Sequence, residues 1–80
     1  MTLQQVFDFL AVAQHGSLNA AARASGQTQP ALTKSLKRLE ADLGSPLFER
    51  HAKGMQPTVF GRRFLGHAKR LAAEARRREA

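Results

Sequence analysis

Apolar residues recur along this chain at helical spacing, and the breaks in that spacing divide it into elements. Leu3, Val6, Phe7, Leu10 and Ala13 form one stripe, widened by Phe9 and Val12. The spacing predicts a helix over Leu3–Gln14 that touches more than one neighbour. His15-Gly16-Ser17 ends it, and Ser17 is the expected N-cap of a second helix, Leu18 to about Ser25. The run Ala20-Ala21-Ala22 favours helix and lets another backbone approach closely. Gly26 and Gln27 make a short turn. Thr28 is the expected N-cap of a third helix, with Pro30 in the first turn, where its missing N–H costs little. Leu32, Leu36, Leu39 and Leu43 form the core stripe of that helix. Gln29, Pro30, Thr33, Lys34 and Lys37 point away from it. Gly44 and Ser45-Pro46 stop it.

The period then changes. Leu47–Arg50 and Met55–Pro57 read as two short strands around the turn His51–Gly54, with Pro57 at a strand end, where a missing donor is tolerable. This is a hairpin with a basic tip. Thr58 caps a last helix, Val59 to about Arg78, whose stripe is Phe60, Phe64, Leu65, Ala68, Leu71, Ala72 and Ala75. Such a helix spans roughly 30 Å, more than a domain this small can cover, so part of its apolar face calls for a partner.

Length and charge sharpen this picture. Eighty residues make one small domain or a piece of a longer protein, with a thin core. No cysteine is present to form a disulfide or a thiolate metal site. No apolar run approaches membrane-spanning length, and MTLQQ has no basic leader region, so a cytoplasmic protein is expected. Net charge is +7, and it is unevenly placed. Residues 1–22 carry only Asp8 and read as packing material, while the cations lie from Arg23 onward. A strongly basic chain points to a polyanion: nucleic acid first, an anionic membrane second.

Two helices joined by a tight glycine turn, the second with a polar front, match a helix-turn-helix. The major groove of B-DNA admits one helix, and its N-terminal residues reach the base edges. Gln29, Pro30, Thr33 and Lys34 are therefore the expected base contacts. Gln29 can bond an adenine edge bidentately, Thr33 offers a hydroxyl or methyl, and Pro30 can meet a thymine methyl. Thr28, with the helix N-terminus behind it, is an expected phosphate site. Lys37, Arg38, Arg50 and Lys53 are expected at phosphates or, for the wing, in the minor groove. Arg50 has a second reading, an ion pair with Glu40 or Glu49. Arg62 and Arg63 can also reach phosphate. His15, His51 and His67 lack metal-ligand spacing, Glu40 and Asp42 diverge on their helix, and neither Thr28 nor Thr33 has an oriented base. No metal site and no catalytic residue are expected.

The ordered motifs Gly16-Ser17, Ala20–Ala22, Thr28-Gln29-Pro30-Ala31, Leu39-Glu40, Leu43-Gly44 and Leu47-Phe48-Glu49-Arg50, followed by Thr58 and Gly61, resemble the N-terminal DNA-binding domain of LysR-type transcriptional regulators. The resemblance implies a mainly α, winged helix-turn-helix fold: a three-helix core, a two-stranded β wing and a long C-terminal linker helix. Residues 1–57 would form the DNA-binding domain, with a recognition helix at about 28–43 and a wing at 47–57. Residues 58–80 would form the linker and dimerisation helix. It further implies double-stranded DNA with an interrupted palindrome as target, a homodimer through the linker stripe and a tetramer for the full-length protein. The setting would be the prokaryotic cytoplasm, on the nucleoid. The effector-binding domain is absent from this chain, and with it any small-molecule effector site, so no cofactor is expected here. The chain departs from the family pattern at Ser25 and Gln27, where aliphatic side chains are usual, which predicts weaker packing around the turn. Lys53 replaces the usual wing arginine, and Pro57 and Phe60 replace the usual leucine and alanine around the Thr58 cap. The rival reading is a helical protein-interaction module that dimerises through the long helix and binds DNA only non-specifically.

Overall fold

The computed structural model describes residues 1–79. Its elements are α1 (Leu3–His15), α2 (Leu18–Ser25), α3 (Gln29–Leu43), β1 (Phe48–His51), β2 (Gly54–Pro57) and α4 (Val59–Glu79). The architecture is a winged helix-turn-helix, in which α1, α2 and α3 share a core, β1 and β2 form an antiparallel ribbon, and α4 packs along α1.

Each helix starts where a hydroxyl satisfies an amide that has no partner in the first turn. Thr2 Oγ1 accepts from the Gln5 N–H at 3.1 Å, and the Gln5 side chain accepts from the Thr2 N–H at 2.9 Å, completing a capping box. Ser17 Oγ accepts from the Ala20 N–H at 3.0 Å, and Thr28 Oγ1 from the Ala31 N–H at 3.2 Å. Between α2 and α3 the chain turns at Gly26, whose φ of 68° suits a residue without a Cβ. The Gln27 N–H closes that turn on the Ala22 carbonyl at 2.9 Å.

The core is organised around α1. Val6, Phe9 and Val12 are buried with Leu18, Ala21 and Ala22 of α2 and with Leu32, Leu36 and Leu39 of α3. Leu43, the last leucine of the α3 stripe, is only half-buried at its edge. The Phe9 ring lies 5.2 Å from both the Phe48 and the Phe64 rings, edge-on to the latter. Geometries of this kind add to the burial they accompany. Asp8 corrects the view of residues 1–22 as plain packing material: its carboxylate is buried in the same core, satisfied by three side-chain donors.

The wing begins one residue later than expected and ends, as expected, at Pro57. Leu47 is drawn fully into the core, so its backbone does not join the ladder. Its N–H donates to Glu40 Oε2 at 2.6 Å, and its carbonyl accepts from the Thr58 N–H at 3.0 Å. Pairing therefore starts at Phe48 opposite Pro57 and runs to His51 opposite Gly54, leaving Ala52-Lys53 as the tip. The Met55 N–H donates to the Gly16 carbonyl at 2.9 Å, tying the ribbon to the corner between α1 and α2. Thr58 locks the other side: its hydroxyl donates to the Pro46 carbonyl at 2.8 Å and accepts from the Gly61 N–H at 2.9 Å.

Helix α4 shares this core. Phe64, Ala68 and Ala72 are buried within the chain, so three of the seven positions expected to pair with a second subunit are already covered. Leu71 remains 41% exposed, and Phe60, Leu65 and Ala75 are half-buried. The expected division at residue 58 thus cuts between two segments that share one interior. No helix among the described residues is long and apolar enough to cross a membrane.

Gly61 sits where α4 crosses the entry to the wing, and a Cβ there would collide with the Leu47 carbonyl oxygen. Because that oxygen is backbone and already holds Thr58, it cannot give way easily. Gly61→Ala is expected to destabilise the fold by about 1–3 kcal/mol, as overpacking does elsewhere. Thermal unfolding followed by circular dichroism checks this, and an unchanged midpoint would contradict the packing described.

Candidate nucleic-acid interface

Helix α3 is amphipathic in a way that separates structure from exposed chemistry. Leu32, Leu36 and Leu39 anchor its back. Thr28, Gln29, Pro30, Lys34, Lys37 and Arg38 are exposed on its front and flank, and Thr33 is half-buried among them. An open groove runs along this front, lined by Gln29, Pro30, Thr33, Lys34 and Lys37, and reaches Arg50 of the wing. A second depression continues it past Ser17 and Asn19 at the start of α2 to His51 and Ala52 of the wing. The structure therefore brings the four expected base contacts together on one face, with Arg50 alongside. Lys53 sits farther out, at the exposed tip of the ribbon.

At the head of α3 the free donors are fewer than expected. Thr28 takes the Ala31 N–H, Pro30 has none, and the Leu32 N–H goes to the Thr28 carbonyl. The unengaged backbone donor of the first turn is the Gln29 N–H. The Thr28 hydroxyl accepts in the cap, which leaves its own proton available to an anion.

The Gln29 amide has a neighbour that periodicity did not indicate. Its Nε2 donates to Asn19 Oδ1 at 3.3 Å. An amide of this kind keeps Oε1 as an acceptor and has a second Nε2 hydrogen to donate, the two functions that adenine N6 and N7 require. Asn19 carried one weak signal in the sequence, a polar residue just inside the cap of α2. Only the crossing of α2 and α3 puts it beside Gln29.

Electrostatics favour an anion on this face because most of the carboxylates are engaged elsewhere. Asp8 is buried, and Glu40 Oε2 turns inward to the Leu47 N–H. Asp42 holds the terminal amine of Met1 at 2.9 Å. Glu74 pairs with Arg77 and Arg78 near the far end of α4. Glu49 lies 3.3 Å from His51 on the wing, in an exposed pair. Among the described residues, Lys34, Lys37, Arg38, Arg50 and Lys53 form no ion pair. The alternative placing of Arg50 against Glu40 or Glu49 is thus not what the structure adopts. Arg62 directs its guanidinium to the Pro57 carbonyl at 3.2 Å, at the base of the wing, and Arg63 is exposed nearby. No cluster of three or more potential metal ligands occurs among the described residues.

Comparison with known proteins places this surface in a family. Residues 3–62 match the model for "Bacterial regulatory helix-turn-helix protein, lysR family". The HTH-type transcriptional regulator TfdT of Cupriavidus pinatubonensis (strain JMP 134 / LMG 1197) is 40% identical over 77 residues, covering 96% of this chain and 34% of the relative. The HTH-type transcriptional regulator ClcR of Pseudomonas putida is 44% identical over 71 residues, covering 89% of this chain and 24% of the relative. The chain thus spans about a third or less of these curated relatives. Among solved structures, the CbnR_DBD–DNA complex is similar at a TM-score of 0.93 and 39% identity, over 99% of this chain and 91% of that one. The BenM_DBD complex with benA site 1 DNA is similar at a TM-score of 0.90 and 30% identity, over 96% of this chain and 90% of that one. From its helix-turn-helix motif to its wing, this chain belongs to the LysR family of bacterial regulatory proteins.

Proposed function

We propose that this chain is the sequence-specific, double-stranded DNA-binding domain of a transcriptional regulator. The observation that carries the reading is the head of α3, where Gln29, Pro30 and Lys34 stand exposed over a groove whose cations have no carboxylate partner. This helix enters the major groove with Gln29, Pro30, Thr33 and Lys34 toward the bases. Thr28, Lys37 and Arg38 meet the flanking phosphates, and Arg50 and Lys53 lie along the backbone or in the minor groove. The likeness to CbnR and BenM domains solved with DNA supports the reading. The reading gives the domain a binding role with no catalytic step, in the bacterial cytoplasm.

Two copies pair through α4 and set two α3 helices on an interrupted palindrome, and four copies assemble in the whole regulator. Exposed Leu71 and half-buried Leu65, Phe60 and Ala75 form the pairing stripe, with Phe64, Ala68 and Ala72 supporting it from within. A small-molecule effector would act outside this chain.

Selection of bound duplexes from a random pool tests the main reading, and the half-site symmetry of the recovered sequences tests the pairing. Gln29→Ala is expected to relax preference at one base pair per half-site, at a cost of about 1–3 kcal/mol on the selected duplex. An unchanged base profile would remove Gln29 from the readout. Lys53→Ala should weaken selected and random duplexes alike and reduce the slope of log K against log salt by about 1. Leu71→Glu is expected to shift the chain toward monomer in light scattering with helix content retained. If the mass distribution matched the unsubstituted chain, α4 would not be the pairing element.

A further inference from the structure

We propose that Asp8 is a positioning residue for the base-reading head of α3, setting from inside the core where Gln29 stands. The proposal rests on the DNA-binding reading above and adds a residue that neither composition nor surface inspection would single out.

The carboxylate of Asp8 is 1% exposed and joins three parts of the chain. Its Oδ1 accepts from Gln27 Nε2 at 2.6 Å and from Gln4 Nε2 at 2.9 Å, and its Oδ2 accepts from Ser35 Oγ at 2.6 Å. Gln27 belongs to the turn between α2 and α3, two residues before Gln29. Ser35 lies on α3 itself. Asp8 therefore holds the body that carries Gln29 at two points, one before its N-terminus and one along its inner side. The Gln27 amide also donates to Ser25 Oγ at 3.3 Å, and Ser25 Oγ donates to the Ala21 carbonyl at 2.8 Å. The polar residues at 25 and 27 thus form a connected network around the turn, in place of the aliphatic contacts whose loss was expected to loosen it. No buried side-chain polar atom is left without a partner among the described residues.

Leucine contacts alone would hold α3 against the core but resist sliding and rotation poorly, because apolar attraction has little direction. Short hydrogen bonds to a carboxylate are directional and stronger than neutral ones. A bidentate contact to a base edge tolerates little displacement of the amide that makes it, so the network's geometry bears directly on readout. The shape of the group at position 8 matters here more than its charge. An asparagine can accept both glutamine amides on Oδ1 and donate its Nδ2 to Ser35 Oγ.

The test measures binding of the 80-residue chain to its selected duplex and to a shuffled duplex of equal length. Asp8→Ala, Gln27→Ala, Asp8→Asn, Gln29→Ala and the Asp8→Ala, Gln29→Ala pair are compared, with helix content and melting recorded for each. Asp8→Ala and Gln27→Ala are each expected to lower the selected-to-shuffled ratio about tenfold, the scale of one bidentate base contact. Affinity for the shuffled duplex should stay within about twofold, because the phosphate-binding lysines are untouched. Asp8→Asn should restore the ratio, and the paired substitution should lose no more than Gln29→Ala alone, as expected for residues acting through one contact. Should Asp8→Ala fail to fold, Gln27→Ala and Asp8→Asn decide. A ratio kept by Gln27→Ala, or an equal loss on both duplexes, would reduce Asp8 to a stabilising residue and overturn the proposal. Gln29→Ala separates the two levels: if it lowers the ratio while the Asp8 and Gln27 variants do not, the positioning role alone fails. If Gln29→Ala keeps the ratio, the base-contact assignment fails and the positioning role falls with it.

Discussion

Two adjacent residues of α1, Asp8 and Phe9, hold the two halves of this domain, and most other features depend on that division. Successive residues on a helix point about 100° apart, so neighbours in sequence can serve different interfaces. Phe9 turns to the wing and α4, where its ring meets Phe48 and Phe64. Asp8 turns to the helix-turn-helix unit, where it takes donors from Gln27 and Ser35. The first contact is apolar and broad, the second polar and directional. A buried carboxylate is tolerable only because its oxygens are matched by donors, and removal of those donors would leave a large desolvation cost.

This division leaves the head of α3, apart from the Thr28 cap, with little structural duty. Its anchors are on the opposite side, at Leu32, Leu36 and Leu39, and in the network below the turn. Exposed polar residues at the front therefore contribute little to stability and can be tuned to a target. The same logic orders the charges. Asp8 is buried, Glu40 turns to a backbone N–H, Asp42 holds the Met1 amine and Glu74 is paired on α4, which leaves Glu49 as the exposed carboxylate of the wing, while Lys34 and Lys37 of α3 face solvent without an ion-pair partner. Surface ion pairs of the kind seen at Glu74 contribute little to folding, so the arrangement matters for the field it creates.

Much of this was legible in the sequence. Helix starts were readable because Ser17, Thr28 and Thr58 are hydroxyl caps with a local mechanism, and helix stripes because burial imposes a period. The strand limits were off by a residue, since Leu47 alternates like a strand residue but is claimed by the core and by Glu40. What could not be read was the pairing of distant polar residues. Nothing in the spacing of Asp8, Gln27 and Ser35 marks them as partners, because their contact depends on how three elements cross. The same holds for Asn19 beside Gln29. The apparent defects at Ser25 and Gln27 became a network only once α1 was in place. The burial of Phe64, Ala68 and Ala72 within the chain was not legible for a related reason: a period identifies an apolar face but not which neighbour covers it.

The size of the chain explains why α4 must serve both interior and exterior. An 80-residue domain has a thin core, and Phe64, Ala68 and Ala72 supply part of what α1, α2 and α3 cannot close by themselves. Helix α4 is thereby packed, through α1, against the body that carries α3. Any partner that engages the outer side of α4 then engages a surface with a fixed relation to the reading head. In a paired molecule, the spacing of two heads would follow from the packing of two α4 helices, with no flexible joint between them inside the described residues. A short wing clamped at Gly16, Pro46 and Leu47 moves with the same body. The consequence is a domain in which the contacts that hold the fold together also set the geometry of recognition, while the residues that would touch the target remain free to change.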